Sequence, residues 1–312
     1  MNLTLTNAAS PKIAIVGAGA LGCYYGARLA RAGENVHFLM RGDLATVRKR
    51  GLTVSVPTET FHLPPETLHT AATPGEIGPC DLVIIALKTT ANASFRELIT
   101  PLLHDGTAIL TLQNGLGSDE ELAAIFGAEH ILGGICFICV NRLAPGEISC
   151  TSTGALSLGE FQRPATERLR AIAEKFTRAG VKTTVSDNLI ELRWRKLVWN
   201  VPFNGLSIAA GGITTDKIMA DPVLENEAAA LMREIAAAAA AHGCAIPESF
   251  VQKQLDTTRP MGAYKPSSLI DYLAKREVEV ESIWGEPMRR AKARNVPTPR
   301  LEMLHALLHA LT

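Results

Sequence analysis

Residues 12–22 read K-I-A-I-V-G-A-G-A-L-G. The first five are a short apolar run, the pattern of a strand buried on both faces. Gly17-Ala18-Gly19-Ala20-Leu21-Gly22 then matches G-x-G-x-x-G, a helical pattern continues to Ala32, and Gly33 closes it. Residues 35–40 form the next apolar strand. Strand, glycine loop, helix, strand is the context that makes this motif a dinucleotide site. Gly17 permits the tight turn, Gly19 lets the backbone approach a pyrophosphate, and Gly22 lets helix and strand pack closely. The helix N-terminus offers free N–H groups and a positive dipole end to phosphates.

The end of the second strand bears on which dinucleotide binds. NAD sites usually place Asp or Glu there to accept the ribose hydroxyls. Here Arg41 follows the strand, and a guanidinium suits a 2′-phosphate, which favours NADP(H). Asp43, two residues on, is a helix N-cap or a salt-bridge partner.

Working outward, residues 51–56 and 60–63 predict a hairpin beside the main sheet. Residues 81–87 and 107–112 are near-continuous apolar runs, as buried parallel strands should be. Residues 91–103 between them read as a helix. Lys88 stands at the carboxyl end of the first run and Asn114 at that of the second, in Q-N-G-L-G. Ligands of open α/β sheets bind at those ends, which marks both side chains as candidates. The plainer readings are a surface lysine opening a loop and a turn asparagine. Helices are expected over 118–126 and 166–179, a strand over 131–140, a hairpin-like pair over 146–150 and 155–158, and a last strand over 182–185.

From residue 188 no strand pattern recurs. Helices are expected over 188–210, 222–242, 247–257, 268–274, 278–293 and 299–311. The change of class near 186–188 divides the chain into a Rossmann-like dinucleotide-binding α/β domain over 1–187 and an all-α C-terminal domain over 188–312. A cleft between two such domains can hold a substrate.

The first of these helices carries the chemistry. L-R-W-R-K-L-V-W-N-V-P-F-N places Lys196, Asn200 and Asn204 four apart, hence on one face, among tryptophans and aliphatics. A lysine in such company is partly buried, and burial lowers an ammonium's pKa toward the range useful for proton transfer. The plainer reading is a snorkelling lysine with two satisfied amides. Pro202 predicts a kink.

Further on, R-P-M-G-A-Y-K-P-S-S-L-I-D is a loop entering a helix, with Ser267 or Ser268 free to cap or to bind. In E-V-E-V-E, helical spacing sets Glu279 on the side of Ile283, turned inward. His305 and His309 lie four apart, but no third metal ligand is evident, so they read as surface residues and no metal site is expected.

Composition narrows the function classes. The 312 residues are 47% hydrophobic and 20% charged with a formal net charge of +0. That suits a globular protein of two domains and gives no basic footprint for nucleic acid. No apolar run approaches a membrane span. Residues 1–10 are polar and lack the pattern of a secretory signal. Six scattered cysteines, including a lone Cys136-x-x-Cys139, read as reduced core residues of a cytoplasmic protein. The alanine-rich and late amphipathic helices fit a homodimer face or an intramolecular core equally.

The motifs G-A-G-A-L-G, Arg41, A-L-K, Q-N-G-L-G, W-R-K-L-V-W-N with a second Asn four residues on, and S-S-L-I-D followed by E-V-E occur in one order over nearly the whole chain. In this the sequence resembles the ketopantoate reductase (2-dehydropantoate 2-reductase) family. The resemblance implies NADPH-dependent reduction of a small 2-keto acid, 2-dehydropantoate, to (R)-pantoate on the route to pantothenate and coenzyme A. It implies that Lys196 is the catalytic lysine and general acid, with Asn114 beside the nicotinamide and that lysine. Asn200 and Asn204 become substrate-binding asparagines and Glu279 the late acidic residue. Counting back from Glu279 and aligning Asp271 puts the substrate serine at Ser267 rather than Ser268. The chain departs from the family in a shorter segment before Glu279, in I-W-G-E-P for the more common I-N-G, and in an earlier helix proline. All three lie on the substrate side. They leave two alternatives beside the main reading: a reductase of another 2-keto acid or ketone on the same scaffold, or a non-catalytic NADP(H) sensor.

Overall fold

The computed structural model describes residues 11–312, and the polar stretch read over residues 1–10 lies outside the described residues. The chain forms two compact units. One runs through Gln113 and resumes over Ser118–Leu189; the other combines Asn114–Gly117 with Ile190–Thr312.

The first unit is built on a ten-stranded sheet. Its strands are β1 Lys12–Val16, β2 Asn35–Leu39, β3 Leu52–Val56, β4 Glu59–Leu63, β5 His69–Ala71, β6 Leu82–Ile85, β7 Ala108–Thr111, β8 Ile131–Ala144, β9 Glu147–Glu160 and β10 Thr183–Ser186. The order is β4-β3-β9-β8-β7-β6-β1-β2-β5, with β10 also paired to β9. From β8 to β5 every pairing is parallel, which defines the Rossmann-like half of the sheet. Successive residues of a strand face opposite sides. Accordingly Ile13 and Ile15 join one apolar layer, and Ala14 and Val16 the other. Near-continuous apolar strands feed two cores at once, which is why their sequences do not alternate.

Three expectations need correction. Residues 91–103 do not form one helix: a 3₁₀ segment Thr89–Ser94, a helix Phe95–Ile99 and a second 3₁₀ turn Thr100–Leu102 share the span. Pro101 at the start of the last turn has no N–H to extend a helix. Residues 146–150 and 155–158 are not a hairpin-like pair but two parts of β9, a single 14-residue strand antiparallel to β8. Its first part pairs with β3 and its last with β10. The polar middle of β9 hides the continuity. Gly154 is obligatory there, because a Cβ would lie 1.4 Å from the Phe137 carbonyl oxygen. The hairpin β3–β4 is present, and β3 is part of the main sheet.

The third correction falls in the second unit, which is helical. Leu189–Ala209 is a continuous helix with Pro202 inside it. Thr215–Ala220, Pro222–Ala241, Glu248–Thr258, Ser267–Leu273, Glu286–Ala293 and Pro299–Leu311 follow. The Pro222–Ala241 helix starts with Asp221 accepting from the N–H groups of Val223 and Leu224. The helix expected from 278 begins later: Glu277–Glu279 precede it, and Glu281–Gly285 form a π turn ahead of Glu286–Ala293. Trp194, Phe203, Ile235, Leu269, Trp284 and Leu308 are buried members of this unit's single core. Among the described residues no helix is long and apolar enough to cross a membrane.

Candidate active site

In the first unit the glycine loop does what its sequence requires. Gly17 has φ +96°, and a Cβ on it would lie 2.6 Å from the Leu87 amide nitrogen just beyond β6. Any side chain would strain the turn and strike backbone. A Cβ on Gly22 would lie 2.3 Å from the Gly17 carbonyl oxygen and 3.0 Å from Ile15, so this glycine sets the helix-to-strand spacing. At Gly19 a Cβ would meet nothing within 4 Å, which leaves the backbone open to a ligand. Gly19 is also the N-cap of the Ala20–Arg31 helix and makes no side-chain cap. Ala18, Ala20 and Leu21 complete the cradle at the end where helix N–H groups lack intrahelical acceptors. Such a surface fits the pyrophosphate of a dinucleotide.

Arg41 is exposed just past β2, and no ion pair engages it among the described residues. Asp43 is buried and pairs with Arg142 at 2.9 Å without capping the Leu44–Arg50 helix, so it is the salt-bridge partner. Lys88 is exposed at the start of the 3₁₀ segment after β6.

The second site is assembled from distant segments, and hydrogen bonds show how. On the Leu189–Ala209 helix Lys196 is half-buried. Asn200 is 4% exposed and Asn204 1%. The Asn204 amide donates to the Asn200 carbonyl at 3.0 Å, and its Oδ1 accepts the Ser268 N–H at 2.9 Å. Asn204 therefore bridges two helices while one N–H and one lone pair remain. The Asn200 amide makes no hydrogen bond among the described residues. That leaves its amide with hydrogen-bonding capacity a ligand could use. Ser267 is exposed and Ser268 buried at the start of the Ser267–Leu273 helix, and neither hydroxyl caps it.

Glu279 is 6% exposed, between the buried Val278 and Val280. It turns inward as expected, but not because of helical phase. It lies just ahead of the π turn, and its carbonyl accepts the Ile283 N–H at 3.3 Å. Trp284 anchors this segment. Its indole N–H donates to the Val201 carbonyl at 2.9 Å, on the lysine helix. Gly205 makes room, since a Cβ there would lie 2.9 Å from the Trp284 Nε1 and 2.6 Å from Leu304.

Asn114 is half-buried on a loop pinned to the same segment. The Leu116 N–H donates to the Ser282 carbonyl at 2.9 Å. Gly115, at φ +84°, comes so close that a Cβ would lie 2.3 Å from that carbonyl oxygen. Sequence reasoning missed Ser282 and Trp284 as positioning residues. It also missed a polar chain at the base of the loop: Thr111 to Gln113 at 3.0 Å, Gln113 to Asn92 at 2.8 Å, and Asn92 to Glu121 at 2.8 Å. The Q-N-G-L-G string was the only available signal.

The histidines also differ from expectation. A third group able to ligate a metal is present: the Glu281 carboxylate lies within hydrogen-bond distance of both the His305 and His309 rings. Cys136 is buried and Cys139 half-buried on β8, and all six cysteines are free thiols.

A glycine-rich β–α turn at the head of a parallel sheet, followed by a helical unit with a lysine among buried amides, defines a dinucleotide-binding oxidoreductase. Comparison with known proteins narrows the class. Residues 13–163 match the family model described as Ketopantoate reductase PanE/ApbA, and residues 188–312 its C-terminal counterpart. The chain belongs to the ketopantoate reductase family. It is 39% identical to the 2-dehydropantoate 2-reductase of Nostoc sp. strain PCC 7120, over 96% of this chain and 95% of that one. The crystal structure of 2-dehydropantoate 2-reductase from Geobacter metallireducens GS-15 superposes with a TM-score of 0.94 at 45% identity, covering 96% and 100% of the two chains. The ternary structure of D-mandelate dehydrogenase with NADH and anilino(oxo)acetate shares the fold, with a TM-score of 0.85 at 23% identity and coverage of 96% and 98%.

Proposed function

We propose that this protein reduces 2-dehydropantoate to (R)-pantoate with NADPH, with Lys196 as general acid, as a step toward pantothenate and coenzyme A. The supporting observation is the convergence within the second unit. Separate hydrogen bonds tie the lysine helix to Ser268 and to Trp284, and the segment of Trp284 to the Asn114 loop.

Residues 17–22 would hold the pyrophosphate, with Arg41 at the 2′-phosphate and Lys88 nearby. When bound there, a reduced nicotinamide would supply the hydride that the ketone carbon takes up. As negative charge develops on the ketone oxygen, the Lys196 ammonium stabilises it and then delivers the proton that completes the alcohol. Asn200 and Asn204 hold substrate oxygens through neutral amides, which leave the lysine's charge undisturbed. Glu279 receives the substrate hydroxyl and favours the charged lysine. Asn114 orients the nicotinamide side, and Ser267 contributes a hydroxyl at the substrate. In this reading residues through 187 serve the cofactor and 188–312 the substrate, with loop 114–117 acting with the latter. Six free thiols suit a reducing, cytoplasmic setting.

Trp284, the departure in I-W-G-E-P, is fully buried and bonded to Val201. That supports a packing role for this change, and 2-dehydropantoate remains the substrate we propose. The test is consumption of NADPH with 2-dehydropantoate against a panel of 2-keto acids. Lys196→Ala is expected to lower kcat by about 10²–10⁴-fold with cofactor affinity retained. Preference for another keto acid would replace the substrate, and turnover surviving in the variant would remove the acid. Arg41→Ala is expected to weaken NADPH by about tenfold or more while sparing NADH, the loss of a charge-assisted bond worth about 1.5–3 kcal/mol. Equal effects on both cofactors would overturn the assigned NADP preference.

A further inference from the structure

We propose that Glu281, His305 and His309 form a binding site for a divalent transition-metal ion of the zinc, cobalt or nickel kind. The inference rests on second-unit geometry alone and is independent of the reaction proposed above.

His305 and His309 stand one turn apart on the Pro299–Leu311 helix, their ring centroids 4.7 Å apart in an edge arrangement. Glu281 opens the π turn opposite them. Its Oε1 lies 3.1 Å from the His305 Nε2 and 2.8 Å from the His309 Nε2. All three donor atoms lie within 4.8 Å of one another. An ion bonded at about 2.0–2.1 Å in tetrahedral geometry spaces its donors about 3.3 Å apart. The two glutamate–histidine distances are within a few tenths of an ångström of that spacing, and the two imidazole donors lie within 4.8 Å of each other.

Two features shape the cluster. The other carboxylate oxygen, Oε2, is held by the Arg289 Nη1 at 2.6 Å, and Arg289 is itself fixed to Glu286 at 3.0 Å. This leaves Oε1 for the rings and supplies the outer contact that orients a ligating carboxylate. Gly285 provides the space: a Cβ there would sit 2.6 Å from the Glu281 Oε2 and 3.1 Å from the His305 Nε2. Glu281 and His309 are exposed, so an ion can enter from solvent.

Two imidazoles and one carboxylate suit zinc, cobalt or nickel, whereas magnesium and calcium take oxygen ligands. Three protein donors leave a coordination position for water. The bound ion would fasten the last helix to the segment that begins at Glu279 and passes through Ser282, whose carbonyl holds the Asn114 loop.

The test is calorimetric titration of the untagged protein with Zn²⁺ and spectroscopic titration with Co²⁺, for wild type, His309→Ala and Glu281→Gln. The expected result is one ion per chain, at least about tenfold weaker binding in each variant, no binding of Mg²⁺, and a Tm that Zn²⁺ raises in wild type but not in His309→Ala. His309 is exposed, so its removal leaves the core intact. Absence of saturable binding would overturn the proposal and leave a hydrogen-bonded staple. So would affinity unchanged in both variants, or a thiolate charge-transfer band placing Co²⁺ on a cysteine.

Discussion

The candidate cofactor loop and the candidate substrate site are built in opposite ways. The loop is six consecutive residues, 17–22, between a strand and a helix that are themselves adjacent in sequence. The substrate site draws on four segments, around 114, 196–204, 267–268 and 279–284, and hydrogen bonds between elements help to fasten them. A contiguous motif carries its geometry in local backbone conformation. A dispersed one depends on a few ties between elements, any of which can be cut without disturbing the motif that carries the lysine.

The contrast can be broken first at its glycines. Gly17→Ala and Gly115→Ala each force a side chain into positive φ and against backbone, at 2.6 Å and 2.3 Å respectively. Each is expected to cost roughly 3 kcal/mol. Their functional signatures should separate: Gly17→Ala weakens dinucleotide binding, and Gly115→Ala lowers kcat while nucleotide affinity, measured by fluorescence titration, is retained. Identical signatures would mean that the two regions are not separate devices. A smaller effect is expected from Asn204→Ala, which leaves the buried Ser268 N–H without its acceptor. Its cost is about 1–3 kcal/mol, read as a lowered denaturation midpoint, together with a raised KM for the keto acid. An unchanged KM would reduce Asn204 to a structural bridge.

An effect confined to acid pH should come from His37, in the first unit's sheet. Burial, then the stacked His69 ring 4.6 Å away, then Lys12 push its pKa down from 6.5 to about 4. The unfolded chain takes up this proton first. The stability tied to neutral His37 is therefore complete above pH 6.5 and is lost as pH falls toward 4. His37→Gln should flatten that part of the Tm–pH curve, and an unaltered curve would remove His37 as its source.

Much of the fold was legible where one residue's neighbours in sequence are also its neighbours in space. Strand–loop–helix–strand over 12–39 and the capped Pro222–Ala241 helix are of this kind. The lysine stripe was legible because helical periodicity alone puts Lys196, Asn200 and Asn204 on one face. Where the reading failed, pairing at a distance decided. The polar interruption around Gly154 reads as a turn, yet antiparallel bonding to β8 carries the strand through it. E-V-E-V-E reads as a helix start, yet Trp284 and Ser282 are tied elsewhere and the helical turn begins later.

By itself, the sequence determined the class of both halves, the glycine turn and the face of the lysine helix. These follow from local sterics and periodicity, which need no distant partner. Only the tertiary structure decided that Asn204 spends bonds on Ser268, that Asn114 is pinned through Leu116 to Ser282, and that Glu281 meets His305 and His309. Each of these joins residues far apart in the sequence, from a few dozen positions between Glu281 and the two histidines to more than a hundred between Leu116 and Ser282. No sequence spacing encodes such a meeting, because the fold of the intervening chain sets the distance.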